Sequence, residues 1–234
     1  MPSTDRQFTR FQDELEELKK RLLVMGGLAE ELVRLAVKGL TDRDPSLISQ
    51  VVKGDQPIND LHIEIDDRCF KLLALKQPMA IDLRAIVAAF KINTDLERVG
   101  DLAINLVEAT KRYMLHPSIK PLVDIPKMAE ISQQMLRDAL DAYIHRNEQL
   151  AQRVLEKDDK LDNLRSRVFR DLLEFMTKKH ETIEPALELI LVSRHLERIG
   201  DHATNIAEDV IFIVSARDVR HHSGDLASHS THQA

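Results

Sequence analysis

Apolar residues recur every three or four positions along most of this 234-residue chain. That spacing is typical of amphipathic α-helices, in which one face is buried. Prolines and short polar runs interrupt the pattern at a few places, above all between residues 115 and 126, where three prolines occur. The pattern therefore predicts an all-α protein of six long antiparallel helices. The predicted helices span residues 7–40, 45–76, 79–114, 126–146, 148–179 and 184–217.

One thirteen-residue motif occurs twice in the chain, 100 residues apart. Residues 96–108 read LERVGDLAINLVE and residues 196–208 read LERIGDHATNIAE, with eight identical positions. A weaker match, 103 residues apart, relates residues 51–59 to residues 154–162. A repeat of this length indicates duplication of a three-helix unit, whose two copies could stand apart or merge. The predicted organisation is a first three-helix repeat (1–114), a linker (115–125), a second three-helix repeat (126–217) and a disordered His-rich tail (218–234).

Composition supports a helical, intracellular protein. Glycine and proline total only 15 residues and tryptophan is absent, which argues against an all-β, collagen-like or mostly disordered chain. A single cysteine, Cys69, excludes an intrachain disulfide framework and is interpreted as a small core residue. The N-terminus lacks the apolar segment of a signal peptide, and no apolar run approaches the ~20 residues of a membrane span. We expect a cytoplasmic protein that reaches a membrane only through partners.

The net charge of −6, with both signs well mixed, argues against nucleic-acid binding. Catalytic motifs are also missing from the sequence. No Glu-x-x-His pair of a di-iron site occurs, nor a phosphate-binding loop, a nucleophile elbow or an HExxH zinc motif. Nothing in the chain supplies a nucleophile with an oriented base, and the histidines are scattered. The sequence therefore predicts a protein that is not an enzyme.

An acidic stripe lies opposite the apolar face of the repeated motif. On a helical wheel Glu97 and Asp101 lie together, as do Glu197 and Asp201 in the second copy. Like charges four residues apart destabilise a helix, and the glycine within each pair costs about 0.8–1 kcal/mol more. Because both copies keep the same unfavourable residues, we expect compensation by a metal cation or by arginines from a neighbouring helix.

A second pair of polar residues repeats on the preceding helix. It is Asp158 and Asp162 in the second repeat, and Asp55 and Asn59 in the first. If the second and third helices of each repeat are neighbours, the pairs can converge into an oxygen-rich cluster. Such ligands suit magnesium, manganese, calcium or iron better than zinc or copper, whereas solvated or arginine-paired acids are the alternative. The candidate metal ligands are Asp55, Asn59, Glu97, Asp101, Asp158, Asp162, Glu197 and Asp201.

The doubled motif LER(V/I)GDxAxN(L/I)xE resembles the signature of the PhoU family. The run QPMAIDLR at residues 77–84 and the Dxx(I/L)(N/D) stretch of the second helix are similar as well. The resemblance extends from about residue 8 to residue 216. It implies two three-helix bundles whose acidic pairs bind divalent or trivalent metal, such as iron, magnesium, manganese or zinc, on the surface. Asn59 departs from a strict acidic pair, so we expect the first site to be weaker.

The same resemblance implies a function. Members of the family are cytoplasmic regulators of phosphate uptake that restrain the phosphate regulon when phosphate is ample. They are thought to connect the phosphate ABC transporter, through its ATPase subunit, to a membrane sensor histidine kinase. A homodimer is expected, partly from the resemblance and partly because long amphipathic helices leave apolar surface to cover. The alternatives are a metal- or phosphate-sensing helical module with no link to a transporter, and a structural dimer with solvated acids.

Overall fold

The computed structural model describes residues 3–76, 78, 80–119 and 124–215. These residues form helices and contain no β-strand, so the all-α prediction is confirmed. The predicted tail, 218–234, lies outside the described residues. A short 3-10 turn, His180–Thr182, precedes the last helix. The helices are α1 (Ser3–Asp42), α2 (Pro45–Gly54), α3 (Gln56–Lys76), α4 (Ala80–Tyr113), α5 (Asp124–His145), α6 (Glu148–Lys178) and α7 (Ile183–Ser215).

The predicted helix over 45–76 is wrong in one respect, because it breaks at Asp55 into α2 and α3. Pro57 is the cause: it has no N–H to donate to the carbonyl of Lys53, and its ring crowds that carbonyl. The helix restarts at once, since the N–H groups of Ile58 and Asn59 both donate to the Asp55 carbonyl, at 3.0 and 3.2 Å. In the second repeat the equivalent residue is Lys160, and α6 runs unbroken.

The turn between the first and second helices has the same construction in both repeats. Asp44 caps α2 by accepting the N–H two residues later at 2.8 Å, and Asn147 caps α6 by accepting the N–H three residues later at 3.0 Å. The residue before each cap, Arg43 or Arg146, has a positive φ of 52° or 50°. Left-handed backbone at a non-glycine residue ends the preceding helix and reverses the chain within a few residues.

The two repeats merge around one hydrophobic core instead of standing apart. The third helices, α4 and α7, pack against each other, and α1 also packs against α5. Cross-repeat ion pairs show that α4 and α7 are antiparallel: Lys91 pairs with Asp209 and Arg112 pairs with Glu188, both at 2.8 Å. Within each repeat the remaining helices pack on the third helix. Cys69 is buried, as expected of a core residue. Among the described residues, no helix is long and apolar enough to cross a membrane.

Adjacent glycines in α1 give a matched test of the contact between the repeats. A Cβ on Gly26 would overlap the side chain of Leu140 in α5, whereas a Cβ on Gly27 would meet nothing within 4 Å. We expect Gly27→Ala to raise the free energy of unfolding by about 0.8–1 kcal/mol, through helix propensity alone. Gly26→Ala gains the same helix propensity but forces Leu140 to move inside a packed core, which costs roughly 1–3 kcal/mol. Its net effect should therefore lie between about zero and a loss of about 2 kcal/mol. Urea unfolding of both variants measures the difference, and equal effects would contradict the close crossing.

Candidate functional site

The acidic pairs of the second repeat meet where α6 packs against α7. Asp158 and Asp162 lie one turn apart on α6, and Glu197 and Asp201 lie one turn apart on α7. Each of the other three carboxylates contributes to raising the pKa of Asp158, so the four groups share one electrostatic environment. The predicted convergence of the two stripes is therefore present in this repeat.

Gly200 allows this close approach of the two helices. The Leu161 side chain of α6 fills the space that a side chain at residue 200 would need. Asp158 Oδ1 lies 3.6 Å from the position that a Cβ on Gly200 would occupy. The glycine that costs helix propensity thus brings an α6 carboxylate against the backbone of α7.

Burial and mutual repulsion disfavour the charged forms of these acids. Burial is the larger cause and raises the pKa of Asp158 from 3.8 to about 6, with repulsion from Asp162 next. Burial also raises the pKa values of Glu197 and Asp201, again reinforced by the neighbouring acids. Among the described residues, Asp158 Oδ1 is buried without a hydrogen-bond donor. A buried oxygen without a hydrogen-bond donor lowers the stability of the fold, so this cluster destabilises the protein.

The first repeat holds its polar pairs differently. Asn59 of α3 donates a hydrogen bond from its side-chain amide, at 2.9 Å, to the carboxylate of Asp55, which lies just before that helix. The Asp55 carboxylate therefore has a donor within the pair. On α4, Arg98 lies 3.5 Å from Glu97 and 3.1 Å from Asp101. These exposed ion pairs are individually weak, but they place a positive charge beside both carboxylates. Arg98 belongs to α4 itself, so it is not the arginine from a neighbouring helix that the sequence offered as the alternative to a cation.

The structure brings the predicted ligands together without forming a coordination shell. In the part of the chain that it describes, no three His, Cys, Asp or Glu side chains are arranged to hold a metal ion. The four carboxylates of the second repeat, which include the Asp158 oxygen without a donor, are nevertheless oxygen ligands of the type that hard cations prefer. The acids of the first repeat fit a cation less well, because Asp55 accepts from Asn59 and both Glu97 and Asp101 pair with Arg98. The metal site stays a prediction.

A polar seam between α4 and α7 was missed by the sequence analysis. The ring of His202 donates to Asp95 at 2.8 Å, and the side chain of Asn205 donates to the same carboxylate at 3.2 Å. Lys91, one turn before Asp95, pairs with the buried Asp209. The side chain of His202 is only 17% exposed. The sequence places the charged residues Lys91 and Asp95 one turn apart on α4, but it gives no signal of their partners on α7.

Comparison with known proteins identifies the family. The sequence matches the PhoU domain twice, over residues 22–110 and 125–210, so both repeats carry the match. The chain belongs to the PhoU family. It is 38% identical over 220 residues to a phosphate-specific transport system accessory protein PhoU homolog of Caulobacter vibrioides, covering 92% of this chain and 94% of that protein.

Solved PhoU structures share the fold. The crystal structure of PhoU from Pseudomonas aeruginosa superposes with a TM-score of 0.85 at 38% identity, over 88% of this chain and all of that one. The phosphate transport system regulatory protein PhoU from Streptococcus pneumoniae gives a TM-score of 0.83 at 27% identity, over 89% of this chain and 99% of that one. The likeness to PhoU therefore covers both repeats and the way they pack.

Replacing Asp158 by Asn should stabilise the metal-free protein, and more so as pH rises. Burial raises the pKa of the Asp158 carboxyl from its ordinary value of 3.8 to about 6 in the folded state. Between those values the folded state binds more protons than the unfolded state, so the carboxyl lowers the free energy of unfolding as pH increases. We expect Asp158→Asn to add about 1 kcal/mol near pH 7.5, allowing for the partial exposure of the side chain, and clearly less near pH 5.

Urea unfolding in the presence of a chelator measures this effect. Glu156→Gln, which changes an exposed carboxylate on the same helix that does not contribute to the pKa of Asp158, is the matched control and should change the free energy of unfolding little at either pH. A gain for Asp158→Asn that does not depend on pH would refute the electrostatic explanation.

Proposed function

We propose that this protein is a regulator of phosphate uptake that restrains phosphate-regulon signalling when phosphate is ample. In this role it is an adaptor, most simply a homodimer, between the ATPase subunit of a phosphate ABC transporter and a sensor histidine kinase. The observation that supports this most strongly is the match to PhoU in both repeats, together with relatives that are named as phosphate transport accessory proteins. The adaptor acts by binding and not by catalysis, and in the cytoplasm it reaches the membrane only through these partners.

Co-purification tests the adaptor role. The tagged full chain is expressed in its own host, and the transporter ATPase and the sensor kinase of that host are detected in the eluate. We expect both proteins to co-purify from cells grown with ample phosphate, and at least one of them to be lost on phosphate starvation. If neither protein co-purifies under either condition, the adaptor role is wrong and the alternative of an isolated sensing module is favoured.

We also propose that a divalent or trivalent metal, such as iron, manganese or magnesium, binds the second-repeat acids. Asp158, Asp162, Glu197 and Asp201 would supply the oxygen ligands. Two features support this assignment: the buried Asp158 oxygen without a donor, and the raised pKa values of three of the acids. When bound, the cation would offset their repulsion. In the first repeat the pairing by Asn59 and Arg98 supports a weaker site at Asp55, Glu97 and Asp101.

Two double substitutions compare the sites directly. Manganese at a hundredfold excess over Kd should stabilise the wild type by about 2.7 kcal/mol, which is roughly 5–10 °C in melting temperature. Glu197→Gln with Asp201→Asn should abolish most of this rise, whereas the matched pair Glu97→Gln with Asp101→Asn should leave most of it. A melting temperature of the wild type that manganese does not change would sink the metal proposal.

A further inference from the structure

A histidine and an aspartate lie together on the first repeat, one turn beyond Asn59 on α3. They are His62 and Asp66, four residues apart, and the side chain of Asn93 on α4 contacts both residues. The His62 Nε2 atom lies 3.7 Å from the Asp66 Oδ2 atom, and each side chain is 27% exposed. That distance is too long for a hydrogen bond, so without a further partner the two groups form at most a weak ion pair.

The separation of these two atoms suits two ligands of one metal ion. Zinc binds a histidine nitrogen at about 2.0–2.1 Å and a carboxylate oxygen at about 2.0–2.2 Å. Two such ligands at a tetrahedral angle are about 3.4 Å apart, close to the observed 3.7 Å. A small rotation of either side chain therefore lets one ion bind both His62 Nε2 and Asp66 Oδ2.

Asn93 orients the Asp66 carboxylate through its other oxygen. The Asn93 side chain is fully buried, and its amide donates to Asp66 Oδ1 at 2.7 Å and to the His62 carbonyl at 2.9 Å. This bond engages Oδ1, whereas Oδ2 is the carboxylate oxygen that faces the His62 ring. Hydrogen bonds of this kind hold carboxylate ligands in place at metal sites in proteins.

Two buried polar atoms of this group have no hydrogen-bond partner among the described residues. They are Nδ1 of the His62 ring and Oδ1 of the Asn93 side chain. A metal ion on Nε2 requires the ring to carry its proton on Nδ1, and that proton needs an acceptor. Asn93 Oδ1 is an acceptor of this kind, on a side chain that already contacts His62. Metal binding would thus also relieve the cost of two buried atoms without partners.

The equivalent place of the second repeat has none of these groups. Arg165 and Phe169 stand 103 positions after the α3 pair, and Ser193 stands 100 positions after Asn93. The second repeat thus builds the same packing of helices without a buried asparagine. Because a buried oxygen without a donor destabilises the fold, the polar group of the first repeat is not explained by the needs of that packing.

We propose that His62 Nε2 and Asp66 Oδ2 bind one divalent transition-metal ion such as zinc, and that Asn93 positions both ligands. An imidazole ligand favours zinc, nickel or copper over magnesium or calcium, unlike the all-oxygen acids of the second repeat. In the described part of the chain no third His, Cys, Asp or Glu completes the set, so water fills the remaining positions on the solvent side. This site does not rest on the proposed adaptor role.

Calorimetric titration of the full-length protein with zinc near pH 7.5 tests the proposal. The four histidines between residues 221 and 232 are replaced by glutamine in every sample, so that they do not compete for zinc. We expect one site that His62→Gln and Asp66→Asn each weaken by at least about tenfold, since each removes one of two protein ligands. Zinc affinity that His62→Gln leaves unchanged would overturn the proposal.

An exposed pair on α5 supplies the matched control. His145 and Asp141 are also four residues apart, but both are exposed and the His145 ring bonds the Asp141 backbone. We expect His145→Gln to leave zinc affinity unchanged, whereas a loss equal to that of His62→Gln would overturn the assignment. The double substitution Glu197→Gln with Asp201→Asn should also leave it unchanged. If that double substitution removes zinc binding, the acids of the second repeat are the ligands and the proposal is wrong.

Heteronuclear NMR of the histidine rings separates a metal ligand from a structural ion pair. Zinc should shift the Nε2 resonance of His62 and fix the ring with its proton on Nδ1, while the His145 ring stays unchanged. Asn93→Ser, which introduces the residue of the second repeat, should weaken zinc by about tenfold and remove this fixed tautomer. A His62 ring that zinc does not perturb would show an ion pair with Asp66 only. Such a failure leaves the phosphate-regulatory role and the manganese proposal standing, because co-purification and manganese-dependent melting measure those separately.

Discussion

The antiparallel packing of α4 against α7 is the contact on which the rest of the molecule depends. Both helices bury an apolar stripe along their length, and each of the other long helices packs on one or the other of them. Because α4 and α7 carry the duplicated motif, this contact also sets where both acidic pairs lie. The apolar stripe faces the shared core, so the acids lie at its outer edge, where α3 packs on α4 and α6 packs on α7. Their position outside the core follows from the helical period, and their closeness to the preceding helix follows from the glycine in each motif.

The two repeats resolve the same electrostatic problem in different ways. Arg98 pairs with both acids of α4, and Arg198 stands at the equivalent position of α7. The effect of Arg198 on the Asp201 carboxyl is nevertheless outweighed by burial and by Asp162, so the pKa of Asp201 is raised. Asp162 stands where the first repeat has Asn59, and its carboxylate adds a negative charge that Arg198 alone does not balance. In the second repeat the repulsion between the carboxylates is therefore not balanced by neighbouring residues. In the first repeat Asn59 and Arg98 balance part of it.

The apolar periodicity of the sequence predicted the helices, whereas contacts that depend on how the two repeats pack could not be predicted from it. Helix class and approximate ends followed from the apolar spacing and the prolines, because burial of one stripe dominates helix packing. Pro57 is a local signal of the break at Asp55, because proline is common in the first turn of a helix and disfavoured in its interior, but the prediction of one helix over 45–76 passes over it. The left-handed residues Arg43 and Arg146 carry no glycine or asparagine signal. The Asp95–His202 contact could not be predicted, because it depends on how the two repeats slide against each other.

The register of α4 against α7 is fixed by polar pairs between the repeats, and each of these pairs occurs at only one of the two symmetry-related places. In a perfectly duplicated antiparallel contact, every cross-repeat pair would appear again at the symmetry-related place. Here the counterparts of the paired residues are apolar or cannot pair, so a shifted or inverted arrangement would leave buried polar groups without partners. The arrangement of the halves is thus specified by polar groups and stabilised by apolar ones. The counterparts of Lys91 and Asp209 are Leu191 and Ala109. Those of Asp95 and His202 are His195 and Leu102. Those of Arg112 and Glu188 are Phe212 and Ala88.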